Sequence, residues 1–502
     1  MPTVTNNYGF MHRFLKITES HPDSIAINDI DNDKILSYKE LKQLAEKRQN
    51  ALTAAGIKKG NKVALILPNG IDFISYYLAL ISKKALPVII NNSLTSCEIN
   101  QILNTIKLDY IITDEEFYKD KLGAITEPFH RVLLCGNNTL NNNEENHYNL
   151  DDLVKKTANN HQETLKAPEG NPIISLQFTW RGLGRPLAVA HHYLDMTYST
   201  DGLHKNFHTQ GIGSVHLVTL PLYAIFGLSV MLVFPLSVGA TLLITNTILK
   251  RDLADVLSTY QVTFACLVPD VIRYFNTRLA KRKQAPTELH PQLMIYSGGG
   301  HLPANDGERL SSLLGCAPVL QGYGLTETLP IIVQNTLGEQ HRGAMGQIIS
   351  GVEARVINAD GKEVEKGHIG ELIVKAPMIS KGYYEDEEGT LLFFKDEWFH
   401  TGDLVWSDDN DHLYFVCQRL RISKVRAQMI DFRDIEIAAL RHNSVQDARA
   451  WVVPDPKQAN TIFLSVKVTD ESLTEPKLLS FMGNYLSNFK LPRQIQLLNV
   501  SK

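Results

Sequence analysis

Gln321-Gly322-Tyr323-Gly324-Leu325-Thr326-Glu327-Thr328 is the stretch whose reading decides the fold. An apolar run at residues 317–320 leads into it and is expected to form a short buried strand. Glycines then let the backbone turn sharply and lie close to a ligand. An aromatic ring, a hydroxyl and a carboxylate follow within five residues. That set suits a nucleotide: the ring stacks on a base, the hydroxyl meets a phosphate oxygen, and the carboxylate suits Mg²⁺, which prefers hard oxygen ligands. Taken alone, the octapeptide is equally an ordinary strand-to-loop turn.

Upstream, the chain repeats strand, helix and strand with short joints, the grammar of a parallel sheet. Ser37 and Glu40 have capping-box spacing, and Leu41, Leu44, Ala45 and Leu52 continue at near-helical spacing up to Gly56. Residues 63–67 and 86–90 are continuous apolar runs, as expected of strands buried on both faces, and Phe73, Tyr76, Tyr77 and Leu80 mark a helix between them. Residues 110–113 and 131–134 continue the series. A second run is expected to open at residues 173–178. It continues through strands near 215–220, 263–268 and 292–296 and helices near 253–260 and 306–314. Two doubly wound units side by side would set their ligand loops at strand carboxyl ends. From about residue 346 the pattern changes to short strands and turns, a hairpin set or small barrel, and past Arg419 to a small α+β arrangement.

The expected class is therefore α/β: a large N-terminal domain of two doubly wound subdomains plus a small β-barrel, then a small α+β C-terminal domain. Boundaries fall at about 1–170, 171–340 and 341–418 within an N-terminal 1–418, with 419–502 as the terminal domain. The length of 502 residues is too great for one core. Fifty basic against 54 acidic residues leave a net charge of -4, which points to no nucleic-acid partner. Apolar stretches are too short or too interrupted by Pro and Gly to span a bilayer, and no signal peptide is read at the N-terminus. Cys97, Cys135, Cys266, Cys316 and Cys417 show no metal spacing and read as reduced, mostly buried thiols of a cytoplasmic protein. Residues 137–146, rich in Asn and Glu, read as a surface loop.

Six short motifs stand in order: Leu220-Pro221-Leu222-Tyr223, residues 296–300, residues 321–327, Gly370-Glu371-Leu372, Gly382-Tyr383 and Thr401-Gly402-Asp403-Leu404. In these the chain resembles the adenylate-forming superfamily of acyl- and aryl-CoA synthetases, nonribosomal adenylation domains and luciferases. The resemblance runs from about Ser37 to Pro492. It implies that Gly298, Gly299 and Gly300 line the adenine and acyl pockets, with Tyr223 and Ala224 also in the acyl pocket. It implies that Gly322 and Gly324 flank Tyr323 stacked on adenine, that Thr326 touches the α-phosphate and that Glu327 holds Mg²⁺. Asp403 would accept from the ribose hydroxyls and Arg419 would reach the nucleotide. The bland alternative for Asp403 is a turn residue in Thr-Gly-Asp. Implied ligands are ATP or AMP, Mg²⁺ and CoA or a carrier-protein phosphopantetheine.

The chain departs from the family where the triphosphate of ATP is gripped. In place of a Gly/Ser/Thr-rich loop ending in Pro-Lys-Gly stand Thr179-Trp180-Arg181-Gly182-Leu183-Gly184-Arg185-Pro186-Leu187-Ala188. A phosphate cradle works through close backbone N–H groups and a nearby cation. Trp180 adds bulk there and Leu187 replaces the lysine. Arg181 and Arg185 either restore positive charge or are solvated loop arginines, and the second is the favoured expectation. The family's catalytic Gly-Lys pair would lie well beyond residues 489–492, and Lys502 is too early to serve. At the junction Ile422 is a poor hinge match, and Ala427 stands where a glycine guides the pantetheine arm.

Three readings follow. The first is a ligase that turns a carboxylic acid and ATP into an acyl-adenylate and then a thioester, with impaired adenylation. The second is a non-catalytic or half-reaction member, working on an acyl thioester or beside an acyl carrier protein or its modifying enzyme in polyketide or nonribosomal biosynthesis. The third is an AMP- or acyl-binding sensor.

Overall fold

A computed structural model describes residues 9–122, 131–135, 147–157, 163–206, 210–282, 288–316, 318–336, 341–419, 422–425, 428–453, 461–470 and 472–499. The first long helix shows how local chemistry starts and stops an element. Helix Tyr38–Ala54 opens on the expected capping box: Glu40 N donates to Ser37 Oγ at 3.2 Å, and Ser37 N donates to Glu40 Oε2 at 2.8 Å. It closes before Gly56, which takes φ 91°, a conformation that glycine adopts freely.

Two large sheets carry the N-terminal region. One runs, in spatial order, through His147–Asn149, Arg131–Cys135, Tyr110–Asp114, Lys62–Ile66, Leu86–Ile89, Ile173–Trp180 and Pro186–His192. The other runs through Gln347–Ile348, Val333–Gln334, Leu320–Tyr323, Met294–Ser297, Phe264–Leu267, Val215–Val218, Thr241–Ile244, Ile25–Asp29 and Lys34–Ser37. Strand Ile173–Trp180, expected to open the second unit, instead pairs with Leu86–Ile89 in the first sheet through Val88 and Leu176. In exchange, Ile25–Asp29 crosses to the second sheet and runs parallel to Thr241–Ile244. The two units are thus interleaved along the chain, an exchange invisible to a local reading because strand period does not name a strand's neighbour.

Their inner faces share one hydrophobic core that extends from Phe10 to Leu413. Helix Ile71–Ser82 buries Phe73, Tyr76 and Tyr77 completely, each contributing about 1.5–3 kcal/mol by the usual transfer scale. The short strands beyond residue 346 form an antiparallel sheet of Glu353–Ile357, Gly370–Lys375, Trp398–Ser407, Phe394–Lys395 and Leu413–Gln418. The C-terminal segment folds as hairpin Ile422–Val425 and Gln428–Asp431, helices Phe432–Leu440 and Glu475–Met482, and a sheet of Val445–Val453, Thr461–Val468 and Gln494–Asn499.

Cys135 and Cys266 are buried, Cys97 and Cys316 half-buried and Cys417 exposed, all as free thiols. The expectation of mostly buried cysteines therefore holds for two of them. Among the described residues no helix is long and apolar enough to cross a membrane. Residues 137–146, 420–421, 426–427 and 500–502, which include Ala427 and Lys502, lie outside the described residues.

Candidate active site

Strands Met294–Ser297 and Leu320–Tyr323 run parallel side by side, the end of the first joined to the start of the second through Tyr296–Leu320 and Ser297–Gln321. The second strand starts three residues later than the 317–320 expected, because this pairing rather than the apolar run sets its bounds; Ala317 is outside the described residues. Each strand is followed at once by glycine, Gly298 and Gly324. Gly299 takes φ 76°. A Cβ on Gly298 would lie 2.8 Å from the Phe226 ring, and one on Gly322 1.7 Å from Tyr296 Oη. Bare backbone is needed at both positions because neighbouring aromatic rings already fill the space.

Tyr323 and Asp403, predicted to face a base and a ribose, come together. Tyr323 Oη donates to Asp403 Oδ2 at 2.7 Å, with both residues buried. Burial, and then the Asp403 carboxylate, push the phenol pKa well above its ordinary value, so the phenol keeps its proton and donates. Gly402 N donates to Glu371 Oε1 at 3.0 Å, and Arg419 Nη2 lies 3.0 Å from Glu371 Oε2. Arg419, half exposed, thus braces the strand that presents Asp403. Burial raises the Glu371 carboxyl, but His400 and Arg419 more than offset this and hold it below its ordinary range.

Arg181 overturns the expectation of a solvated loop arginine. Its side chain is 0% exposed and that of Glu327 1%, and Nε lies 3.6 Å from Glu327 Oε1. Nη2 donates to the carbonyls of His400 at 3.0 Å and Thr401 at 2.7 Å. The guanidinium also sits over the rings of Phe393 and Phe399, at 4.9 and 5.2 Å. Burial alone would lower its pKa, and Glu327, followed by Tyr383 and Asp403, holds it above the ordinary value.

Glu327 Oε1 also accepts from Tyr383 Oη at 2.7 Å, while Oε2 has no hydrogen-bond partner among the described residues. Mg²⁺ demands near-octahedral oxygen coordination and keeps several waters. This carboxylate is buried, shares one oxygen with a phenol and faces a fixed guanidinium. The residues present do not fit a Mg²⁺ ion.

The rest of the altered loop is likewise engaged with protein. Thr179 is buried, and Trp180 lies under Lys490, whose Nζ is 4.6 Å from the ring centroid. Gly182 and Gly184 take φ 81° and 72°, and Gly184 N donates to Asp431 Oδ2 at 3.0 Å. Arg185 pairs with Asp386 and, at 3.0 Å, with Glu388. Leu187 is fully buried, in the core cluster where the family's lysine would reach out. Ile422 is buried at the start of its hairpin.

Beside these residues opens a cavity whose walls include Tyr223, Ala224, Gly299 and Thr326 from the large domain and Gln428 and Lys490 from the small one. Gln428 Nε2 donates to Tyr223 Oη at 2.6 Å across the domain boundary. Burial pushes the Tyr223 phenol up to about 12, against the opposing hydrogen bonds to Gln428 and Asn91. Gln428 and Lys490 have no role in the sequence reading; nothing local in a C-terminal glutamine or lysine signals a wall some 200 residues or more away in sequence from Tyr223.

Comparison with known proteins agrees with this architecture. A long-chain-fatty-acid–CoA ligase of Salmonella typhimurium is 27% identical over 506 residues, 93% of this chain and 87% of that protein. A 4-coumarate–CoA ligase of Vanilla planifolia is 23% identical over 470 residues, 91% of this chain and 84% of that one. Among solved structures, a double mutant of o-succinylbenzoate CoA synthetase from Bacillus subtilis, bound with a product analogue, superposes with TM-score 0.82 at 21% identity, covering 97% of this chain and 94% of that one. The model of the family described as AMP-binding enzyme matches residues 14–384. With the ordered motifs and the paired glycine turns, that match establishes that the chain belongs to the AMP-binding enzyme family.

Proposed function

We propose that this AMP-binding, CoA-ligase-like protein holds an acyl group and an adenylate but activates carboxylic acids with ATP poorly. In the full reaction a carboxylate oxygen attacks the α-phosphorus of ATP and pyrophosphate leaves. A thiol, of CoA or a carrier-protein phosphopantetheine, then attacks the acyl carbon, and AMP leaves as the thiol loses its proton. Only the first step needs the β- and γ-phosphates held.

One observation carries the reading: each large or charged residue of the altered loop is already committed to protein. Arg181 is tied to Glu327, Arg185 to Asp386 and Glu388, Trp180 to Lys490, and Leu187 to the core. Charge-assisted contacts are worth about 1.5–3 kcal/mol each. Losing two costs about 3–6 kcal/mol, on the order of 10²–10⁴ in rate. The second step calls on other groups. The acyl chain would lie in the cavity beside Tyr223, Ala224 and Gly299, with the adenylate at Thr326 and the Tyr323–Asp403 pair. Gln428 and Lys490 close the wall and exclude water from the reacting carbonyl.

The test is ATP–pyrophosphate exchange over a panel of long-chain and aromatic acids, with AMP binding followed by calorimetry. Background exchange together with measurable AMP binding is expected. Acid-dependent exchange that disappears in Glu327→Ala would overturn the impairment. A synthetic acyl-adenylate offered with CoA or with a phosphopantetheinyl carrier protein then identifies the acceptor.

A further inference from the structure

We propose that Arg181 is the resident cation of this site: its guanidinium neutralises the carboxylate that would otherwise hold a divalent metal ion, and the protein takes its nucleotide without one. The inference rests on the proposed reading only for which ligand enters; the cation itself is a property of the chain.

Three kinds of contact hold Arg181 in one place. The Glu327 carboxylate, the two carbonyls of residues 400 and 401, and the faces of Phe393 and Phe399 surround it. Nη2 is matched by two carbonyl oxygens and the faces of the fork by rings, while Nε and Nη1 make no hydrogen bond among the described residues. The fully buried side chain is held by these contacts and the ion pair. Glu327 is equally fixed, for Tyr383 Oη takes the same oxygen at 2.7 Å and Ser380 N donates to the Glu327 carbonyl at 2.9 Å. A dication bound to the remaining oxygen would face the like charge of the Arg181 guanidinium. That like charge opposes binding, and the ion would also give up waters it releases reluctantly.

The substitution is legible as a trade. A mobile metal ion that arrives with the nucleotide is replaced by a side chain always present and always charged. Arginine suits the place better than lysine, since it stays protonated when buried and is more weakly hydrated.

Mn²⁺ is the probe, titrated into the full chain without nucleotide and followed by loss of its free electron-paramagnetic signal. His341, Asp408 and His412 lie together elsewhere in the fold, so the Glu327→Gln variant is what assigns any signal to this site. Wild-type and Glu327→Gln protein are expected to take up equal Mn²⁺, and the AMP dissociation constant is expected to change less than about twofold between EDTA and millimolar Mg²⁺. Uptake in the wild type that Glu327→Gln removes would overturn the proposal. If that variant does not fold, a second readout stands on the wild type alone: the phosphorus resonance of bound AMP. No Mn²⁺ broadening beyond that of free AMP supports the proposal, and strong broadening overturns it. Arg181→Gly uncages Glu327 and is expected to gain a Mn²⁺ site that Arg181→Gly with Glu327→Gln loses. A protein that binds no AMP at all counts against the proposed function, while the nucleotide-free titration still decides the role of Arg181.

Discussion

Lys490 Nζ lies 2.9 Å from Glu98 Oε1, and their side chains are 1% and 2% exposed. The contact joins the C-terminal segment to helix Ser96–Thr105 of the large domain, and a second carboxylate, Asp434 Oδ2, completes it at 2.8 Å. Burial lowers the lysine's pKa, and Asp434 and Glu98 together more than reverse this. Glu98 also accepts from Ser487 N at 3.0 Å and caps its own helix through Thr95. One buried cation therefore joins the C-terminal segment to the large domain at the wall of the cavity.

Breaking a buried pair by removing one partner costs about 3–5 kcal/mol, because the other charge is left uncompensated. Lys490→Met is expected to lose stability of that order in chemical denaturation. It is also expected to speed proteolysis between the large domain and the C-terminal segment. Lys490→Met with Glu98→Gln should recover part of the loss. A Lys490→Met protein as stable as wild type would show that the pair does not hold the domains.

His216 gives a pH prediction. Its ring lies against Phe234 and Phe264 at 5.5 and 5.0 Å, and neither ring nitrogen has a hydrogen-bond partner among the described residues. Burial lowers its pKa from 6.5 to about 3, so it stays neutral in the folded protein. The unfolded chain takes up a proton below pH 6.5, which the folded one does not. The contribution is therefore whole above that pH and is lost as pH falls toward 3, by up to ~1.4 kcal/mol per pH unit. His191, lowered to about 3 by burial and then by His192, acts in the same sense. Urea denaturation from pH 7 to 4 is expected to show the slope and His216→Phe to flatten it. Equal slopes would exclude His216 as a source.

Gly324 is the third position. A Cβ there would sit 1.8 Å from the Pro330 carbonyl oxygen and 2.4 Å from its carbon, and backbone cannot rotate away as a side chain tip can. Gly324→Ala is expected to cost about 1–3 kcal/mol in thermal or urea melts, the usual range for overpacking. It also displaces the turn bearing Thr326 and Glu327, so AMP affinity should fall with it. A variant with wild-type melting and AMP affinity would show that the turn has room to spare.

Much of the fold was legible because its signals are local. The capping box at Ser37 and the runs at 63–67, 86–90 and 263–268 each carry their own period or punctuation, and strands lie at 62–66, 86–89 and 264–267. The glycine turns after residues 297 and 323 were likewise readable as places of close approach. Strand partners were not: Ile173–Trp180 and Ile25–Asp29 change sheets, and no residue within them says so.

The candidate site divides the same way. By itself the sequence determined which chemical groups stand at the turns, and that the loop at 179–188 had lost its small hydroxyls and its lysine. Only the tertiary structure decided what replaced them. The carbonyls that receive Arg181 lie 219 and 220 positions away. A guanidinium in a glycine-bearing loop reads as solvated until those partners are in place. Its burial is sustained by carboxylate, carbonyls and aromatic faces that converge on it from distant parts of the chain and take the place of part of the water it gives up.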